Sequence, residues 1–298
     1  MKNYIFEIFD KDTVLHLRIP FSLFLFPIFC FALSQAIVVH WTNTIIIFIS
    51  LHFFIYPGSN AYNSYMDKDE GSIGGLKTPP PVTVKLFYAS IIMDILGLVL
   101  CLLVGAWLLL FMLMYVAISR AYSWRGIRLK KYPILGWLVV VVFQGGFTFM
   151  MVNMCCGNNF NVSWFDNKNV LAMLIATLLI GGFYPLTQIY QHDEDSRRGD
   201  YTISYKLGVT CTFLFSAFLF LLATGFSLFY FVSFYNVSHF FVFSISLLPV
   251  TMYFLYWLII TLRNRSYADF VHSSRMTIVS SLCMIICFVV IFFLNHPY

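Results

Sequence analysis

The chain has 298 residues, 60% of them hydrophobic and only 10% charged, with a formal net charge of +5. That balance excludes a water-soluble globule, and no DNA- or RNA-reading pattern accompanies the positive excess, so the expected contact is anionic lipid headgroup, not nucleic acid. Nine apolar stretches approach or exceed the roughly 20 residues that a helix needs to cross a bilayer core.

In chain order these stretches cover about 20–39, 43–63, 84–104, 105–119, 133–153, 169–190, 209–234, 238–262 and 274–294. They predict an all-α integral membrane protein with nine transmembrane helices bundled around a central cavity. The first follows a charged, mixed start (Lys2, Glu7, Asp10, Lys11, Asp12, Arg18), and no small-residue cleavage site comes after it, so a removable signal peptide is not expected. The third and fourth part only at Gly105. With the N-terminus in the cytoplasm, the inside segments are 1–19, 64–83, 120–132, 191–208 and 263–273. With their flanking residues they hold 17 of the 18 Lys and Arg residues, leaving only Lys168 outside. This bias sets the N-terminus inside and the C-terminus outside. No linker divides the chain, so 1–298 reads as a single transmembrane domain. The seven cysteines lie mostly in spans without metal-ligand spacing and read as small buried hydrophobes. Outside loop 154–168 carries "NVS", a glycosylation acceptor pattern.

Two inside helix ends depart from this apolar pattern. The second helix runs out through "NSYMDKDEGSIGGLK" and the sixth through "QHDEDSRRGDYTISYK". Asn63 and Asp67 are four apart and share a helix face, with Glu70 three further on and Asp69 between; Gln191 and Asp195 repeat the step around His192, Asp193 and Glu194. Carboxylates contribute little to membrane orientation, so topology does not account for two such clusters. Clustered carboxylates and amides suit a hard divalent cation, and Mg²⁺ takes one or two carboxylates plus substrate phosphates. Cations for a phosphate stand nearby: Lys77 after the first cluster, Arg197 and Arg198 after the second. The loop "SRAYSWRGIRLKKYP" adds Arg120, Arg125, Arg128, Lys130 and Lys131. Taken singly, each is more often a topological anchor than a ligand.

These residues resemble the UbiA superfamily of intramembrane prenyltransferases, whose nine helices carry Asp-rich motifs, N-D-x-x-D-x-x-x-D and D-x-x-x-D, at the ends of helices two and six. Asn63-Ser64-Tyr65-Met66-Asp67 matches the start of the first, with Ser64 in place of Asp. The last Asp falls at Gly71, leaving its role to Asp69 or Glu70. In the second motif Asp195 matches and Gln191 replaces the first Asp, with Asp193 and Glu194 as deputies. "YSWRGIRLKKYPILG" resembles the family's Tyr-Ser and basic loop, which brings Tyr122, Ser123, Arg128 and Lys130 to the diphosphate, and "LKTPPP" carries Lys77 over.

The resemblance implies Mg²⁺-dependent transfer of a polyprenyl group from its diphosphate to a lipophilic acceptor, aromatic or a quinone precursor, at the cytoplasmic side. Ionisation in a water-poor cavity would leave an allylic cation that aromatic side chains stabilise. Two rivals remain at this stage: a cyclase acting on the prenyl diphosphate without an acceptor, and a non-catalytic lipid-diphosphate binder or transporter. Several other residues carry expectations. Asp94, within the third span, is a functional-site hypothesis by default. It acts on the acceptor, pairs with a group such as His52, or bonds a neighbouring helix. Gly145-Gly146 and Gly181-Gly182 permit close helix approach. Pro185 kinks the sixth helix just before its acidic end. "GSIGGL" reads as a flexible lid.

Overall fold

A computed structural model describes residues 8–296. Among them are nine helices long and apolar enough to cross a membrane: α1 (Lys11–Ser34), α2 (Trp41–Asp67), α3 (Val84–Leu102), α4 (Ala106–Ser123), α5 (Pro133–Gly157), α6 (Asn167–Arg198), α7 (Ile203–Phe234), α8 (Val237–Arg263) and α9 (Phe270–Asn295). No strand occurs among the described residues; the one bridge, Ile73 to Leu76, closes the turn after α2. Short loops keep sequence neighbours adjacent, so the ends of α2, α4, α6 and α8 gather at one face of the bundle. Gly105 makes the α3–α4 turn at φ 144°, a conformation that glycine tolerates.

Glycine and proline shape the inner surface. Gly145 lies so close to α6 that a Cβ there would sit 2.7 Å from Thr177 Cα, and Gly182 packs under Phe220 of α7. Both pairs expected to bring helices together do so, since small residues let backbones approach where lipid supplies no hydrophobic drive. In α2 a wide turn at Ser50–Ile55 precedes Pro57, which lacks an amide hydrogen for its helix. In α6, Pro185 opens a tighter stretch, Tyr184–Gln191, before regular winding resumes at His192–Arg198. Both helices that carry acidic ends are therefore rewound one to three turns above them. α1 breaks at Arg18, φ 50°, and its first segment, capped by Asp10 on Thr13 N (2.9 Å), lies across the same face.

Candidate functional site

The ends of α2, α4 and α6, with α1 and the loop after α4, enclose a cavity of about 270 Å³ at this face. Sequence-predicted residues that line it are Asn63, Asp67, Asp69, Tyr122, Ser123, Lys130, Gln191, Glu194 and Asp195. Carboxylates and cations alternate around it. Asp67 Oδ2 pairs with Lys130, whose ammonium also lies 3.3 Å from Asp200. Arg128 grips Asp200 with two hydrogen bonds of 2.7 Å and lies 3.5 Å from Asp67 Oδ1. Planar bidentate pairing of this kind fixes both partners. Arg198 spans the two motifs: it donates to Asp69 Oδ1 at 3.0 Å and to Glu194 Oε1. Burial, then the charge of Asp67, pushes the Asp69 carboxyl above the ordinary carboxylate range.

The neutral groups hold this arrangement in place. Ser123 donates to Asn63 Oδ1 (2.7 Å), tying α4 to α2, and the hydroxyls of Tyr122 and Tyr184 meet across the cavity. Gln191 Nε2 donates to Ser72 O (3.2 Å), so the residue standing where the family has an aspartate pins the loop after α2 onto α6. Glu194 Oε1 accepts from the amides of Glu70 (3.2 Å) and Gly71 (3.1 Å). A Cβ at position 71 would sit 2.5 Å from Glu194 Oε2. The space in front of Gly71 is thus filled by a carboxylate from the other motif.

Other expected residues lie elsewhere. Lys77 is exposed and outside the lining, and Arg197 is exposed with its guanidinium on Asp193 O (3.2 Å); Arg198, one residue on, is the arginine that faces the cavity. Glu70 and Asp193 are exposed, and His192 faces Ser204 (2.8 Å) on α7. Asp94 pairs with Arg120 Nε at 3.0 Å, while Ser90 and the Tyr62 ring also hold that guanidinium. His52 instead bonds Ser22 O (3.0 Å), so the pairing with Asp94 is not formed. "GSIGGL" is packed as a wall, since Gly74 and Gly75 lie on the Phe21 ring and Arg18 donates to Gly74 O (3.2 Å). Alanine at Gly75 (φ 86°) would strain the turn, and at Gly74 it would meet the Phe21 ring.

Three cavity residues carried no role in the sequence reading. Arg18 counted only among the charges before the first span, and the proline after it in "RIP" is the one local signal that marks a break there. Asp200 sat unremarked in "RRGDY", although it follows the glycine that ends α6. Tyr184 precedes Pro185 and gave no polar signal of its own.

The donor set fits a small hard cation. Asp67 Oδ1 and Asp69 Oδ2 are buried without a hydrogen-bond partner, and the Asn63 amide oxygen and the Asp195 carboxylate line the same cavity. Lysine and arginine hold most of the remaining carboxylate oxygens. Accordingly, no three His, Cys, Asp or Glu side chains among the described residues converge as a ready-made ligand set. Substrate oxygens would have to complete a metal's shell. Next to the polar cavity, sharing the walls Phe24, Ile180 and Phe183, lies an apolar cavity of about 320 Å³ that opens between α7 and α8 near Leu221 and Leu255.

Nine apolar helices with a charged cavity at one end define a multi-pass integral membrane protein. The model of the UbiA prenyltransferase family matches residues 23–281, and the chain belongs to that family. Among solved structures it resembles a UbiA homologue from Archaeoglobus fulgidus bound to GPP and Mg²⁺, with a TM-score of 0.69 at 16% identity, covering 95% of this chain and 99% of that one. The same homologue bound to DMAPP and Mg²⁺ gives 0.67 at 17%, covering 95% and 99%. A digeranylgeranylglyceryl phosphate synthase gives 0.57 at 18%, covering 94% and 98%. No curated protein sequence matches the chain significantly.

Proposed function

We propose that the chain catalyses Mg²⁺-dependent transfer of a polyprenyl group from its diphosphate to a lipophilic acceptor, aromatic or a quinone precursor, within the membrane. The observation that carries this reading is the pair of buried, unpartnered oxygens, Asp67 Oδ1 and Asp69 Oδ2, at the mouth of an apolar cavity. Ligand-bound structures of the archaeal homologue support it, since that protein holds a prenyl diphosphate and Mg²⁺ on the same fold. The lysine and arginine bias of the loops supports a cytoplasmic position for this face.

Asn63, Asp67, Asp69 and Asp195 would hold Mg²⁺, which when bound neutralises diphosphate charge and makes it a better leaving group. Lys130, Arg128 and Arg198 stand where diphosphate oxygens enter, and Arg18 guards the α1 side. The donor tail lies in the apolar cavity behind Phe24, Ile180 and Phe183, which keeps water from the reacting carbon. The allylic C–O bond breaks with its electron pair leaving on the diphosphate. The rings of Tyr122 and Tyr184 face the developing cation until the acceptor attacks and releases its proton.

Pyrophosphate release by the purified protein in liposomes, with geranylgeranyl diphosphate and a membrane-lipid extract, tests the reading. Asp67→Asn and Asp195→Asn should each lower release by about 10²- to 10³-fold, and a chelator should abolish it. Release that survives both substitutions overturns the assignment. Release without acceptor, yielding a terpene product, replaces the transferase with a cyclase.

A further inference from the structure

Arg198 occupies the position from which a cation bridges the two motifs. Its guanidinium joins Asp69 of the first to Glu194 of the second, and its side chain is only 19% exposed. Glu194 Oε1, with two backbone amides and an arginine on it, has no capacity left for a metal. On the other side of the cavity Lys130 and Arg128 fill the space between Asp67 and Asp200. Between these two filled positions, the fully buried oxygens without a hydrogen bond are Asp67 Oδ1 and Asp69 Oδ2, both on residues more than nine-tenths buried. Asp195, whose Oδ2 takes a hydrogen bond of 3.3 Å from Thr202, lines the same cavity.

Placing a second divalent ion on Asp69 Oδ1 and Glu194 Oε1 would require expelling Arg198, leaving a largely buried charge without partners; such losses are costly. A single ion on the open oxygens breaks no hydrogen bond and has only the 3.5 Å approach of Arg128 to Asp67 Oδ1 to displace. Mg²⁺ needs only one or two carboxylates when phosphate oxygens complete its octahedron. The sequence agrees with the geometry. Where the family carries carboxylates, this chain has Ser64, Gly71 and Gln191, and it has an arginine aimed between the two motifs.

We infer that this chain engages its prenyl diphosphate with a single divalent ion, and that Arg198 is a built-in cation standing in a second ion's place. The inference rests on the diphosphate reading given above. In the bound state the guanidinium turns one N–H edge to a diphosphate oxygen while it keeps Asp69 or Glu194. That swap is open to a five-donor group in a way that a spherical ion's full shell is not.

The test is Mn²⁺ stoichiometry by electron paramagnetic resonance on the detergent-solubilised full chain. It uses saturating geranylgeranyl S-thiolodiphosphate, whose bridging sulfur blocks ionisation. Wild type should take up a single Mn²⁺ per chain. Arg198→Gln, which frees Asp69 Oδ1 and Glu194 Oε1, should take up a second. Arg198→Lys, with its charge kept, should stay at one, and equal retention of the analogue by all three proteins shows that each is folded. Two ions on wild type, or one on Arg198→Gln, overturns the inference while leaving the diphosphate reading intact. Analogue bound with no Mn²⁺ on any of the three overturns the metal-dependent reading itself.

Discussion

The two ends of the bundle both bury polar groups, yet they treat them in opposite ways. At the end away from the acidic motifs a set of neutral groups is paired. Tyr230 donates to Gln35 (2.8 Å), Asn153 to Ala32 O (2.8 Å), Trp164 to Asn153 (2.9 Å) and Asn295 to Ser34 O (2.7 Å). None of these side chains is left with a buried, unpartnered polar atom. At the motif end the groups are charged, and Asp67 Oδ1, Asp69 Oδ2, Gln188 Oε1 and Arg18 Nε all lack hydrogen-bond partners around one cavity. A buried polar group without a partner costs about 1–3 kcal/mol, more when charged, so a satisfied network seals a fold and an unsatisfied one awaits a ligand. The comparison separates a plug from a site within one helical bundle.

The largest effect that tests this difference is Asp67→Asn. Transfer should fall by about 10²- to 10³-fold, while the unfolding midpoint stays close to wild type, because Lys130 keeps Asp200 as its partner. A variant that unfolds in step with its lost activity would erase the distinction. Next comes the pair between the two ends, Asp94 and Arg120, both largely buried. Asp94→Asn leaves the guanidinium without its counter-charge and should lower stability by about 3 kcal/mol in chemical unfolding; removing both charges as Asp94→Leu with Arg120→Met should recover most of it. Transfer per folded molecule should be retained in both, since Asp94 lies outside the cavity lining. Its loss in the double variant would give Asp94 a role at the site. Smaller still is Asn153→Ala in the plug. It strands Trp164 Nε1 and Ala32 O, should cost about 2 kcal/mol of stability and should leave transfer per folded molecule unchanged.

These outcomes bear on what the sequence makes legible. Nine spans, the Gly105 turn and the rewinding at Pro185 could all be read, because lipid makes helix length and apolarity obligatory and because glycine and proline act locally. Asn63, Asp67 and Asp195 were also readable, since a four-residue step fixes a shared face whatever the tertiary fold. Arg18 and Asp200 were not. Their partners, Asn60 O and Gly74 O for the one and Arg128 for the other, lie 42 to 72 residues away. No local period records such a distance. Lys77 and Arg197 failed for a related reason: a cation next to a motif in sequence is placed by the turn that follows it. The turn at 73–76 sends Lys77 outward, whereas one residue of helical rotation separates exposed Arg197 from cavity-facing Arg198. Gly71 is the sharpest case. Read alone it is a missing carboxylate; in the fold its lack of a side chain is what admits Glu194.

The comparison should vanish at Asp10 and Lys85, a charged pair on the motif side that belongs to neither plug nor site. The pair lies at 2.7 Å with side chains 38% and 41% exposed. The hydrogen bond from Lys85, reinforced by the Thr13 amide, lowers the Asp10 carboxyl from 3.8 to about 2. A carboxylate with a depressed folded-state pKa contributes stability above its unfolded value and loses it as pH falls through the folded one, here from about pH 4 down to about pH 2. Solvent screening at this exposure holds the contribution below about 1 kcal/mol. Asp10→Asn isolates the ion pair, because asparagine still caps the helix through Thr13 N. In chemical unfolding the variant should trail wild type by a few tenths of a kcal/mol near neutral pH, and the gap should close on acidification or in about 1 M salt. A gap that persists undiminished through acidification and in high salt would mean that the cap, not the charge, was the part that asparagine failed to replace.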